Sequence, residues 1–339
     1  MDSNPSHVSC IGIVDFTEDV NWVYISESVQ DLLGFEPREL VGRSALELAH
    51  PDEFPQLRRL HYDTIKQDKA AALVYTRLRH KDPCKGYILC AVTRTVCQNV
   101  LVGSVSFAAP GPRAMHNNAT AQEVTVITPS AKDFEFRKWN EPSPMPPCDI
   151  PVNMRPDSRP STADSSRSRR SPPLSFAPLP EQSVRTALIL DRFSERCGIL
   201  YCANDSILPT TQVLGRSFFD FVVSRDEDLV RSWIDTVKGW GVNERGQPSD
   251  GGFGFGKFSV CVKGRNSSPV PEPPPSRRHG GASTHTSSRD RSRNHNYRNN
   301  GPVPHREYTR PAAPGEELRV DAIFSAHSDG LMVILRRAY

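Results

Sequence analysis

One three-residue step, Gly-Arg-Ser after a branched apolar residue, occurs twice in this chain of 339 residues, and it constrains the fold more than any other feature. Val41-Gly42-Arg43-Ser44 enters the short apolar turn Ala45-Leu46-Glu47-Leu48, and Leu214-Gly215-Arg216-Ser217 enters Phe218-Phe219-Asp220-Phe221. Glycine can end one turn in each copy, and a serine hydroxyl can accept from the free amides of the next. Two strand-like runs precede each copy; a long amphipathic helix and three more strand-like runs follow. This length suggests about two domains of roughly 150 residues each, and the repeated step makes them two versions of one plan.

In the first version, residues 10–16 and 21–26 are β-branched apolar runs, joined by the turn Thr17-Glu18-Asp19. Val29, Leu32 and Leu33 recur at helical spacing until Gly34. Residues 36–41 and 44–49 make further short turns, with Ser44 as N-cap and Glu47 three residues on. Residues 54–69 read as the long helix, with Phe54, Leu57, Leu60, Thr64 and Ile65 as its buried stripe and His61 at the edge. Strands are expected at 72–78, 87–93 and 100–107, so this module spans residues 8–109.

The second version has strands at 185–190, 198–204, 257–263, 318–324 and 331–335. Leu229, Val230, Trp233, Ile234 and Val237 form one helix face behind Asp226-Glu227-Asp228, whose charges complement the helix dipole. Asp329-Gly330 is a hairpin signal. The module spans 184–263 and 316–339, with residues 264–315 inserted between its third and fourth strands. Loop-closure cost grows only logarithmically with length, so a hairpin tolerates such an insertion.

Residues 110–183 are rich in Pro, Ser and Arg and are expected to be mostly disordered. Residues 123–128 and 134–139 have the apolar content of a segment that packs on the first module or a partner. From Lys263 to Pro314 there are ten Lys and Arg against three Asp and Glu, in a chain of net charge only +3. The basic charge therefore belongs to the insertion and not to a folded face. Arg289, Arg291, Arg293, Tyr297, Arg298 and Tyr308 offer RNA an electrostatic contact, against the plainer reading of a solvated loop. Arg167, Arg169 and Arg170 read as an import signal, and Ser143, Ser171 and Ser268 as phosphorylation sites beside proline or arginine.

Chemistry is sparse. The eight cysteines form no CxxC pair, and the Cys197–Cys202 spacing has no histidine to complete a zinc site. The glycine-rich run 251–256 precedes a strand and lacks the helix and lysine of a phosphate loop; it reads as a flexible strand entry. No zincin, nucleophile-elbow or kinase signature is present, and no zipper, helix-loop-helix or zinc finger, so neither an enzyme nor a sequence-specific DNA binder is expected. No run approaches the roughly 18 apolar residues of a membrane span, and the N-terminus lacks signal-peptide features. A soluble chain of the nucleus or cytoplasm is expected.

The segment order, with residues 26–53 at its centre, resembles the PAS family. Two PAS folds would be α+β: each a five-stranded antiparallel sheet with short helices on one face, the two joined by disordered segments. The architecture is similar to the PAS regions of fungal white-collar-type regulators and animal helix-loop-helix regulators. The light-sensing subclass bonds flavin through a cysteine after Gly-Arg-Asn; Ala45 and Phe218 stand in that place, so neither module forms the adduct. No cofactor is expected, with non-covalent flavin or haem left open and His61 the best-placed axial ligand. The resemblance implies a signalling adaptor or transcriptional co-regulator that pairs with another PAS protein or itself through its sheet, including Tyr75, Leu89, Val92 and Val105. The alternative is a small-molecule sensor with a pocket lined by Val23, Leu33, Leu40, Leu48, Leu60 and Leu73.

Overall fold

The computed structural model describes residues 8–131, 180–243, 245–265 and 317–338. The proposed import signal, the three phosphorylation candidates, nearly all of the basic insertion and most of the Pro/Ser/Arg-rich segment lie outside them.

The first unit opens with β1 (Ser9–Asp15) and β2 (Trp22–Ile25). The turn between them is tied by Asp15, whose carboxylate accepts from the Thr17 and Asn21 amides at 3.1 and 2.9 Å. Helix α1 (Val29–Leu33) ends at Gly34, whose φ of 81° is in the left-handed region that only glycine enters without strain. Helix α2 (Pro37–Leu40) has proline in its first turn and a reciprocal Glu36–Glu39 capping box. Ser44 caps the following 3₁₀ turn (Ala45–Leu48) by accepting from the Leu46 amide at 3.2 Å. Helix α3 (Phe54–Lys66) buries Leu57, His61, Thr64 and Ile65. Phe54, expected on that stripe, is 41% exposed because it stands in the first turn, outside the helix–sheet contact.

Strands β3 (Ala72–Arg79), β4 (Tyr87–Cys97) and β5 (Val100–Phe107) complete the antiparallel part, in the order β2-β1-β5-β4-β3. The expected five strands become six. After α4 (Pro112–Thr120), strand β6 (Glu123–Val126) pairs parallel to β3, so ordered structure runs on to Ala131, past the expected boundary at 109. The cause is local: Val124 and Val126 join Leu73, Tyr75, Ala91 and Ala114 in covering the outer face of β3 and β4.

The second unit comprises β7 (Arg185–Leu190), β8 (Ile199–Cys202), α5 (Thr210–Val213), α6 (Glu227–Trp240), β9 (Gly254–Cys261), β10 (Glu317–Ala326) and β11 (Leu331–Arg337). Its order, β8-β7-β11-β10-β9, repeats that of the first five strands. Strand β9 begins at Gly254, so part of the glycine-rich run is sheet and not a flexible entry. A side chain on Gly256 would collide with the Trp233 ring that lies over it. Glu317 is the partner of Cys261, so the insertion leaves and re-enters at neighbouring strands. In α6, Val230, Trp233, Ile234 and Val237 are buried, whereas Leu229 is 48% exposed in the first turn.

The two sheets pack face to face. Ile11, Ile13, Val100 and Val102 meet Ala187, Ile189, Ile323, Met332 and Ile334 in one buried apolar layer. Equivalent positions meet: Tyr24 of β2 stacks on Tyr201 of β8, with centroids 6.0 Å apart. Polar contacts rim the layer. The Ser28 amide and hydroxyl donate to Asp329 at 2.9 and 2.5 Å. Buried Arg185 pairs with Asp68 at 2.6 Å and donates to the Val96 carbonyl at 3.0 Å. Helix α4 closes one end, where Asn117 donates to Asp250 at 2.9 Å and Thr120 Oγ1 accepts from the Phe253 amide at 3.2 Å.

Candidate functional site

A cavity of about 80 Å³ lies between the 3₁₀ turn, α3 and the inner face of the first sheet. Its floor follows from two glycines. Gly12 of β1 and Gly103 of β5 are partners across the ladder, and neither fills the space above it. A Cβ on Gly103 would collide with the Thr93 carbonyl, and one on Gly12 would come within 2.6 Å of the Trp22 ring. The β4–β5 pairing also lapses at Thr93 and Arg94, between Val92↔Val105 and Thr95↔Val102, without a change of register. Thr93 Oγ1 takes up the Ser104 amide there at 2.8 Å.

The lining is mostly apolar, from Val14, Leu48, Leu57, Leu78, Val92 and Leu101 among others; beside the hydroxyls of Thr76, Thr93 and Ser104 it holds three nitrogen-bearing side chains. The Trp22 Nε1 hydrogen and the Arg94 Nη1 group are both buried with no hydrogen-bond acceptor among the described residues. Burial alone lowers the Arg94 pKa to about 10, so the guanidinium stays charged at neutral pH. His61 is the third group. It is 2% exposed and not at the edge of the buried stripe, because α3 turns it toward the sheet. Burial, reinforced by the nearby Arg94 charge, lowers its pKa to about 3, so it is neutral.

Of the residues expected to line a pocket, Leu48 does so. Leu33, Leu40 and Leu60 pack in the surrounding core. Val23 is 46% exposed, and Leu73 faces the other side of the sheet. Of those expected at an interaction surface, Tyr75 and Leu89 are on the outer face toward α4, beside β6, and Tyr75 donates to Asn118 at 3.0 Å. Val92 and Val105 face inward and line the cavity. Trp22, Arg94 and the two glycines were not expected at the site. The cavity, at about 80 Å³, is smaller than the roughly 300–1,000 Å³ of pockets for drug-sized ligands.

A second polar cluster lies at the junction of the two units. Ser325 Oγ is 2.9 Å from His327 Nε2, and Asp250 Oδ1 is 3.9 Å from His327 Nδ1. The residue types match a hydrolytic triad, but the geometry does not. The histidine–carboxylate distance exceeds a hydrogen bond, and the three side chains are buried. The Ser325 hydroxyl donates to the Gly252 carbonyl at 2.8 Å, which leaves it as acceptor toward His327. Among the described residues, no group of side chains is placed to hold a metal ion, and no helix is long and apolar enough to cross a membrane.

Residues 22–83, from β2 through the helices to just beyond β3, match the family model described as PAS fold. Hypoxia-inducible factor 1-alpha of Bos taurus is 30% identical over 81 residues, which cover 24% of this chain and 10% of that protein. The Mus musculus protein is 30% identical over the same length, covering 24% and 9%. The chain thus spans only about a tenth of the length of the curated relatives it matches. Among solved structures, the PAS-B domain of Drosophila melanogaster Cycle is 20% identical over 29% of this chain and 99% of that one, with a TM-score of 0.26. The N-terminal domain of a PAS/PAC-sensor diguanylate cyclase from Marinobacter aquaeolei is 15% identical over 29% and 94%, with a TM-score of 0.25. A PAS fold is therefore found at residues 22–83.

Proposed function

We propose that the chain is a tandem-PAS adaptor, a transcriptional co-regulator that acts through contact with other proteins and not through catalysis. The repeated strand order and the repeated Gly-Arg-Ser step support reading residues 184–263 with 316–339 as the second PAS fold. The observation that carries the functional reading is the burial of the two sheets against each other. Sheet faces that would otherwise meet another PAS protein are used within the chain, so a partner meets what remains outside. Phe193, Leu200 and Leu214 are 68%, 60% and 47% exposed, and belong to no buried core. Large apolar side chains left in water in this way suit a protein contact.

The test is a pull-down with the full chain as bait, comparing wild type with the double variant Leu200→Asp and Leu214→Asp. Loss of a specific PAS-containing partner, with an unchanged circular-dichroism spectrum, is expected. Retention of the same partners by the folded double variant defeats the assignment of this surface.

A second reading, small-molecule sensing in the first unit, is favoured by one observation: two buried donors without acceptors share one apolar cavity. Native mass spectrometry of the full chain tests it through a retained ligand mass.

A further inference from the structure

Resting on the sensing reading, we infer that the first-unit cavity binds a small monoanion, a short-chain carboxylate, whose oxygens accept from Arg94 and Trp22.

Two deeply placed arginines show what a buried guanidinium ordinarily requires. Arg185 has the Asp68 carboxylate and the Val96 carbonyl. Arg192 donates to the carbonyls of His327, Lys238 and Gly241. Arg94 is half-buried as a residue, but its Nη1 is buried with no acceptor and it has no ion pair among the described residues, and it lines a mostly apolar cavity. Burying a charge costs several kcal/mol unless a counter-charge offsets it, and each unsatisfied donor adds to that cost. His61 is neutral and supplies no counter-charge. The cavity thus carries a net positive charge and two unused donors, which an anion with two acceptor atoms satisfies together.

Size and lining narrow the class. The cavity, at about 80 Å³, is small beside the roughly 300–1,000 Å³ of drug-sized pockets, which favours a short acid over a long one. The carboxylate would lie toward Arg94, with its alkyl end against Leu48, Leu57 and Val92. Leu48, Leu57 and Val92 offer no hydrogen bonds to a hydrated inorganic anion, whereas a short alkyl group gains from contact with them.

The test uses the full chain labelled with 5-fluorotryptophan, which gives four ¹⁹F resonances, with that of Trp22 assigned through Trp22→Phe. Sodium propionate should shift the Trp22 resonance saturably and leave Trp233 and Trp240 unmoved. Propionamide of the same shape, and sodium chloride or nitrate at matched ionic strength, should not shift it. Arg94→Gln should weaken propionate binding by at least about tenfold, and Arg94→Lys by less, since it keeps the charge. Unchanged Trp233 and Trp240 resonances report that the variants fold, and the wild-type comparison of propionate with propionamide needs no variant. If propionamide shifts Trp22 as strongly as propionate, the cavity takes ligands regardless of charge; the carboxylate assignment then fails while sensing stands. If chloride or nitrate acts as well as propionate, the organic acid is likewise overturned. If nothing added shifts Trp22, the cavity holds only water and both readings fall.

Discussion

Gly12 and Gly103 face each other across β1 and β5, and neither position has room for a methyl group. At Gly103 the obstacle is the Thr93 backbone carbonyl, which cannot move without parting β4 from β5. At Gly12 it is the Trp22 ring, which can tilt into the cavity. Gly103→Ala is expected to destabilise by about 3 kcal/mol or more, and Gly12→Ala by about 1–2 kcal/mol, the upper and lower ends of the overpacking range. Urea midpoints for the two variants check both the sizes and their order.

The Ser28–Asp329 contact links the units through two hydrogen bonds to one carboxylate. Asp329→Ala leaves the Ser28 amide and hydroxyl to find water at the rim of the apolar layer. The expected loss is about 1.5–3 kcal/mol, the range for a hydrogen bond to a charged group. Amide exchange should quicken along β1 and β11 before it does in β3, because the contact ties the hairpin tip to the first sheet.

Two histidines set an acid limit well above the carboxylate range. His61 and His327 are held neutral chiefly by burial, with pKa values of about 3 and 4 against an ordinary 6.5. Below pH 6.5 the unfolded chain binds protons that the folded chain refuses, so stability falls as pH drops from there to about 4. Each histidine contributes a slope of about 1.4 kcal/mol per pH unit over that interval. His327→Gln should remove about half of this dependence, which urea denaturation at pH 7.5, 6 and 5 measures.

Glu53 acts at lower pH. Burial raises its pKa, but hydrogen bonds from the Arg77 amide, the Arg77 guanidinium and Thr76 outweigh this and bring it below the ordinary 4.5. Its contribution is present above pH 4.5 and lost as pH falls below that value. Glu53→Gln is expected to cost about 2 kcal/mol at pH 7, the scale of charge-assisted hydrogen bonds. Its deficit against wild type should narrow once the pH falls below 4.5, as denaturation curves taken on both sides of that value would reveal.

The strand runs and the Asp329-Gly330 hairpin were legible because they are written in neighbouring residues: β-branched runs between turns, and a dipeptide suited to a tight reversal. Which face each strand presents was not. Leu73, Val74, Tyr75 and Thr76 are all buried, since β3 has helices on one face, α4 on the other and β6 paired along its edge. A strand covered on both faces has no polar–apolar alternation to orient it, and an error of one residue moved Leu73 into the pocket. The cavity was hidden for another reason. Gly12 and Gly103 are far apart in sequence, and a glycine inside a strand signals a close approach without saying what approaches. Arg94 in an apolar run reads as a solvent-facing residue until the packing places it inside.

Strand β5 has the cavity on one side and the joint between the units on the other. Gly103 is floor to the first, and Val102, its neighbour in the chain, is packed into the second. The partition is a single peptide thick. Val102 shares that buried layer with Ile334 and Met332 of the second unit. The two units are thus adjacent at the point where the first is hollow, separated there by one strand of backbone.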